Sequence, residues 1–242
     1  MRQGQPLRMQ TQYRVREQTL VIDLGGKRRV LSSAPQGGGL TSASYVLNHQ
    51  VESNPISNTH PRSHSDPARA LRRLAIRLGV KQGTVGLMTA VPMKQLVTAK
   101  VSSGALWVEC FATVGVTNAV KAGERPETNV RRNQATGPGT INLIVVTNAC
   151  LSSAAMVGAV QVVTESKTGV LRDHGVPSWT GQPGATGTGT DAVVIVCRLR
   201  GNGLWHAYSG THTMIGALIG QAVTRCVTRG LAKAKQWKER HA

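Results

Sequence analysis

Acidic side chains are scarce in this chain, which narrows where proton transfer can occur. Only 11 Asp and Glu residues accompany 29 Lys and Arg. Glu17, Glu52, Glu124, Glu127 and Glu239 lie in polar or terminal surroundings and read as solvated. Glu109 sits inside an apolar run, Glu165 in a helical pattern, and Asp173 beside His174 as a helix-end cap. Asp191 stands apart. It follows the run A-T-G-T-G-T at 185–190 and precedes A-V-V-I-V. That context suits either a structural Asp that binds backbone N–H groups or a functional carboxylate. The run itself invites a phosphate-loop reading and fails it. No Lys follows the glycines, and the loop precedes a strand, whereas phosphate loops run strand, loop, helix. The N–H groups around Gly187 and Gly189 can still form an anion or oxyanion nest.

His212 lies in Gly210-Thr211-His212-Thr213, just before a long helical pattern. Thr211 or Thr213 can cap that helix, which places the imidazole by the positive end of the dipole and favours its neutral form. A neutral imidazole suits a general base. A His satisfied by backbone at a helix start fits the same spacing. His60 and His64 are four apart, but Pro61 argues against a helical zinc pair, and no compact metal-ligand motif occurs elsewhere.

These groups need elements to hold them. Residues 20–23 and 29–32 flank Gly25-Gly26 and read as a hairpin. Residues 40–48 have weak helical spacing, and 54–67 read as a loop. After Asp66-Pro67, an N-cap and a first-turn proline, Leu71, Leu74, Ala75 and Leu78 mark one helical face and Arg69, Arg73 and Arg77 another; Gly79 ends the element. A strand over 85–90, a short helix from Pro92 through Val97 and a strand over 106–116 follow, then a polar, turn-rich stretch at 121–138. The clearest pattern is a buried strand at 140–147, a helix over 152–171, a glycine-rich loop at 175–190, a buried strand at 192–199 and a helix over 214–237. Residues 1–12 read as a frayed leader. Neither repeat nor linker divides 13–242, so one α+β domain is expected, a mixed and mostly antiparallel sheet flanked by helices with a long C-terminal helix.

Composition removes several classes. The apolar fraction is 40% over 242 residues, enough for a sizeable core without cross-links. Neither a bilayer-length apolar run nor a signal-peptide pattern is present, which excludes an integral membrane protein. Cys110, Cys150, Cys197 and Cys226 form no C-x-x-C pair and read as reduced, packed thiols of a cytoplasmic protein. The net charge of +18 makes a nucleic-acid binder the competing class. Against it, the basic residues are dispersed, no RNA-binding signature occurs, and aromatics are 3% of the chain. Near the C-terminus, Arg225, Arg229 and Lys233 form a basic row opposite Leu218, Ala222 and Leu231, read as a solvated face and a docking face.

A specific resemblance emerges from segments taken in order. They are S-S-A-P (32–35), N-H-Q-V (48–51), V-G-L-M-T-A (85–90), V-T-N-A (116–119), P-G-T-I-N-L-I-V (138–145), T-E-S-K-T (164–168), A-T-G-T-G-T-D (185–191) and G-T-H-T (210–213). Together they resemble the adenosylcobinamide amidohydrolase family over about residues 20–230. The resemblance implies a corrinoid-salvage hydrolase that cleaves the amide joining aminopropanol to the corrin propionate and releases adenosylcobyric acid. Such a reaction needs an activated nucleophile, a proton donor for the amine and donors for the tetrahedral oxyanion. Asp191 and His212 form the candidate acid/base pair and are expected to converge on one cleft. Thr188 and Thr190 are candidate oxyanion donors or nucleophiles, and Glu165 is a second-choice base. Trp179, Trp205 and Tyr208 can pack on the corrin ring. Asn118, Asn142 and Asn148 can hydrogen-bond its amides, Asn148 as a binding rather than catalytic group. No cofactor and no metal are expected. A non-catalytic corrinoid-binding protein is the third class, which turnover would separate from the first.

Overall fold

The computed structural model describes residues 11–51, 66–80, 83–125 and 139–241. Its strands are β1 (Gln12–Arg16), β2 (Thr19–Ser32), β3 (Gly39–Gln50), β4 (Thr84–Thr89), β5 (Val97–Ser103), β6 (Leu106–Val114), β7 (Ala119–Val120), β8 (Ile141–Thr147), β9 (Cys150–Leu151), β10 (Gly187–Thr188), β11 (Ala192–Cys197) and β12 (Trp205–His206). The helices are α1 (Pro67–Arg77), α2 (Ser153–Asp173) and α3 (Met214–His241). An 8-stranded sheet runs β4-β3-β2-β11-β8-β6-β5, with β1 paired to β2. The pairs β3–β4 and β8–β11 are parallel and the rest of this sheet is antiparallel. The chain is thus α+β with a mixed, mostly antiparallel sheet and a long C-terminal helix.

Alternation along the strands sets the layers. Leu143, Val145 and Ile195 face α2 and α3, where they meet Ala159, Val163, Ile219 and Val223. Val21 and Leu47 pack with Leu71 and Leu74 of α1 and with Leu78 at its C-terminal end. The opposite-facing Ile22, Val46, Phe111, Ile144, Val194 and Val196 form a second core layer. Strand β1 contributes to it, since Tyr13 meets Phe111 edge-on at 5.0 Å between ring centroids.

The helix ends follow their caps. The Asp66 side chain accepts from Arg69 N–H at 2.9 Å, and Ser152 from Ala155 N–H at 2.9 Å. Of the two cap candidates at α3, Thr213 fills the role, its hydroxyl accepting from Gly216 N–H at 3.0 Å. On α3, Leu218, Ala222 and Leu231 are buried, while Arg225, Arg229 and Lys233 lie outside that buried stripe; the Lys233 ammonium reaches the Leu96 carbonyl at 2.9 Å.

Some local expectations are corrected. Residues 40–48 are strand, not helix. Pairing with β2 on one side and β4 on the other satisfies their backbone and overrides a weak helical spacing. Residues 20–32 are one strand rather than a hairpin, and the glycines sit where the register slips between Asp23 and Arg28. The true hairpin turn is upstream. Glu17 and Gln18, both at positive φ, join β1 to β2. Thr11 and Gln12, placed in the leader, belong with β1, and Thr11 N–H donates to Glu109 at 3.1 Å. The short helix expected from Pro92 is one 3-10 turn, Met93–Gln95. Residues 1–10, Glu52, His60, His64 and Glu127 lie outside the described residues.

Candidate active site

Strands β8 and β11 run parallel, so their first residues lie side by side, Ala192 opposite Asn142. The residues just before them, Gly139-Thr140 and Thr190-Asp191, therefore meet at one end of the sheet. Asp191 is the hub. Its Oδ1 accepts from Ile141 N–H at 2.8 Å and from the Thr188 hydroxyl, and its Oδ2 accepts from Thr188 N–H at 3.0 Å. Lys167, from α2, completes the set with its ammonium 2.6 Å from Oδ2. The side chains of Lys167 and Asp191 are only 10% and 11% exposed. With every one of these donors directed at it, the carboxylate is fixed in orientation and positions its neighbours.

Hydroxyls line the same end. Thr140 Oγ1 lies 2.7 Å from Thr190 Oγ1, and both approach the Gly139 carbonyl, at 2.8 and 3.2 Å. Thr140 is buried, and Thr190 is exposed. Two glycines permit this packing. A Cβ on Gly187 would stand 2.5 Å from Asp191 Oδ2 and 2.6 Å from Lys167 Nζ. A Cβ on Gly139 would collide with Asn118 Oδ1, a buried oxygen without a hydrogen-bond partner among the described residues.

The β7–β10 pair builds one wall, with Thr188 opposite Ala119. Trp179 joins it through a 2.7 Å bond from its N–H to the Ala119 carbonyl. Glu124 secures this wall by accepting from Lys121 N–H at 3.0 Å and the Ser178 hydroxyl at 2.8 Å. Those donors hold its carboxyl below the usual range. Gly189, exposed, forms the turn between Thr188 and Asp191.

Of the residues singled out from sequence, Asp191, Thr188, Thr190, Gly187, Gly189, Asn118 and Trp179 come together here. The others do not. Asn142 is buried on the reverse face of β8, where its amide donates to Asn48 Oδ1 at 2.9 Å and the Met88 carbonyl at 2.8 Å. Asn148 clamps the β5–β6 turn, accepting from Trp107 N–H and donating to the Ala105 carbonyl. Glu165 is on the exposed side of α2, two residues from Lys167 but facing solvent.

His212, Trp205 and Tyr208 occupy the other end of the sheet. The β9–β12 pairing holds Trp205 opposite Cys150, and the Ser209 hydroxyl donates to the Ala155 carbonyl at 2.5 Å. Ala155 and Lys167 are twelve residues apart on α2, which is about 18 Å at 1.5 Å per residue. The expected convergence of His212 with Asp191 is thus corrected. The segment from β11 to α3 stays at the C-terminal end of the parallel strands, and α2 spans the gap.

Sequence reasoning passed over Lys167 and Thr140. The signal for Lys167 was periodicity, because it continues the buried stripe of Val163, Val170 and Leu171 on α2. Among the described residues no three His, Cys, Asp or Glu side chains gather as metal ligands, and no helix is long and apolar enough to cross a membrane.

Similarity to known proteins is consistent along the chain. The adenosylcobinamide amidohydrolase family model matches residues 4–239. An uncharacterized protein of Methanocaldococcus jannaschii is 31% identical over 236 residues, covering 91% of this chain and 88% of that protein. An adenosylcobinamide amidohydrolase of Methanosarcina mazei is 30% identical over 229 residues, covering 91% of this chain and 97% of that protein. A solved structure of a Pyrococcus horikoshii protein aligns over 92% of this chain and 78% of that chain, with a TM-score of 0.42 and 12% identity. The chain belongs to the adenosylcobinamide amidohydrolase family and is a hydrolase acting on an amide bond.

Proposed function

We propose that this protein hydrolyses the amide between aminopropanol and the corrin-ring propionate of adenosylcobinamide, giving adenosylcobyric acid for salvage of corrinoid precursors. The reaction is placed at the Asp191 end of the sheet. One observation carries that placement: the segments 138–145 and 185–191 are joined by the 2.8 Å hydrogen bond between Ile141 and Asp191, fifty residues apart, and Lys167 from the segment 164–168 closes on the same carboxylate. Three of the segments that resemble the family thus meet in one cluster.

Each group has a task there. Asp191 holds the Lys167 ammonium and the Thr188 hydroxyl in place. The Lys167 ammonium has N–H donors beyond the one given to Asp191, which suit the oxyanion of a tetrahedral intermediate. Thr190, exposed and bonded to Thr140, presents a hydroxyl to the acyl carbon or to the attacking water. In the overall step a water oxygen bonds to the acyl carbon, the C–N bond breaks, and a proton passes to the departing amine. Asn118 and Trp179 supply an acceptor and an apolar surface for the substrate's amides and ring edge. The four buried, unbridged thiols suit a reducing compartment, the cytoplasm.

The test is turnover. Purified protein with adenosylcobinamide should release adenosylcobyric acid and aminopropanol, identified by mass. A folded protein that forms neither product overturns the reading.

A further inference from the structure

The end of the sheet away from Asp191 concentrates positive charge around a cleft. Lys27, Arg28 and Arg29 lie in β2, and the residue across from Arg29 in β11 is Cys197, which is followed by Arg198 and Arg200. Among the described residues none of these side chains meets a carboxylate, since the ion pairs present involve only Arg16, Arg77 and Lys167. Burial, with the like charge of Arg198, pushes the Arg28 guanidinium below its ordinary value. Arg29, half-buried, and Arg200, exposed, bring two guanidinium groups without a carboxylate partner to one place, which an anion would compensate.

A cleft of about 520 Å³ opens beside two of them, lined by Arg29, Leu40, Ser152, Ser153, Arg200 and Trp205, with Lys27, Arg28 and Arg198 outside its lining. Its volume falls in the range of small-molecule sites. Arg29 is fixed in the wall, donating to the Leu151 carbonyl at 2.9 Å and the Ser153 hydroxyl at 2.6 Å. A guanidinium carries five N–H donors, so Arg29 retains donors for a ligand. Trp205 stands against Arg200 at 5.6 Å from its ring centroid and is 52% exposed. Oriented cationic donors beside an open aromatic ring match a phosphate joined to a flat base.

We propose that this cleft is a second ligand site and that it takes a nucleotide, with Arg29 and Arg200 on the phosphates and Trp205 against the base. The site is separate from the Asp191 cluster by the span of α2, so its occupancy does not depend on the reaction proposed above.

Calorimetric titration of the full chain with ATP, pyrophosphate and adenosine tests it. ATP should bind saturably, pyrophosphate more weakly, and adenosine not at all to millimolar concentration. Arg200→Gln, an exposed change that leaves the fold alone, should weaken ATP binding about tenfold, or about 1.4 kcal/mol. Arg29→Gln with Arg200→Gln should abolish it in a protein that still melts cooperatively, with some loss of melting temperature from the lost bonds to Leu151 and Ser153. Trp205→Ala should weaken ATP and spare pyrophosphate. The proposal is overturned by an absence of ATP binding, by ATP binding that the arginine variants leave intact, or by pyrophosphate binding as tightly as ATP. A single-stranded oligonucleotide that binds more tightly than ATP, with the same dependence on Arg29 and Arg200, replaces the nucleotide with nucleic acid.

Discussion

Lys167 and Asp191 stand 24 positions apart in the chain and meet at 2.6 Å, joining the middle of α2 to the start of β11. The two ends of this bridge are not equivalent. Asp191 receives Ile141 N–H, Thr188 N–H and the Thr188 hydroxyl as well as the lysine, whereas Lys167 has no other polar partner among the described residues.

The asymmetry should appear in stability. Lys167→Met leaves the carboxylate with its remaining donors. Asp191→Ala strands a buried ammonium and unpairs the donors of Thr188 and Ile141. Breaking a buried pair from the worse side costs about 3–5 kcal/mol, and each orphaned donor adds about 1–3 kcal/mol where water does not reach it. We expect Asp191→Ala to be the more destabilising change in urea unfolding. Equal losses, or a larger loss for Lys167→Met, would show that the carboxylate does not organise this end of the sheet.

Activity should divide along α2. Thr190→Val removes the exposed hydroxyl of the cluster and should lower turnover by about a hundredfold, which is about 2.7 kcal/mol of transition-state stabilisation. His212→Gln and Glu165→Gln should stay within a few-fold of the parent, because one lies beyond the far end of α2 and the other faces solvent. Rates of product formation, measured alongside melting temperatures, decide it. A hundredfold loss in a folded His212→Gln protein would move the reaction to the other end of the molecule.

Much of this arrangement was legible in the residues, for reasons that also explain the failures. The flanks of Asp191 mark a carboxylate between a small-residue turn and a buried strand, and the parallel β8 and β11 turn that local pattern into a cluster. Helix caps at Asp66, Ser152 and Thr213 depend on nearest neighbours and were readable. His212 failed because a cap fixes where a helix starts, not which end of the sheet that start adjoins. Residues 40–48 failed because their pairing partners lie in β2 and in β4, far from any local window. Lys167 carried a signal, a charge inside an apolar helical stripe, that a search for acids and histidines skips.

His49 gives a pH dependence with a defined sign. Burial first, then the positive charge of Arg77, hold its imidazole below the ordinary 6.5, with Glu17 opposing. Its Nδ1 lies 2.8 Å from the Thr19 hydroxyl. A depressed folded-state value means the unfolded chain binds the proton more readily. The contribution is therefore whole above about pH 6.5 and is lost as pH falls through the lower folded value. Melting temperatures between pH 7.5 and 5 should fall more steeply for the parent than for His49→Gln. Parallel curves would mean that the His49 environment does not discriminate between its protonation states.

Gly187 and Gly189 make the sharpest comparison, since they are two residues apart, one in β10 and the other in the turn that follows it. An Ala methyl at position 187 would press on both Asp191 Oδ2 and Lys167 Nζ, at 2.5 and 2.6 Å. Neither can retreat freely, because the carboxylate is tied to Thr188 and Ile141 and the lysine to a helix packed on the sheet. A methyl at position 189 would meet nothing within 4 Å. Overpacking a filled site costs about 1–3 kcal/mol. Gly187→Ala should therefore lose stability in that range and also lose turnover, as the ion pair is forced apart, while Gly189→Ala should match the parent in both. Lys167→Met vacates the ammonium, so the stability cost of Gly187→Ala should be smaller in that background, a coupling that a double-mutant cycle measures directly. Additive costs would mean that the glycine is needed for something other than the approach of Lys167 to Asp191.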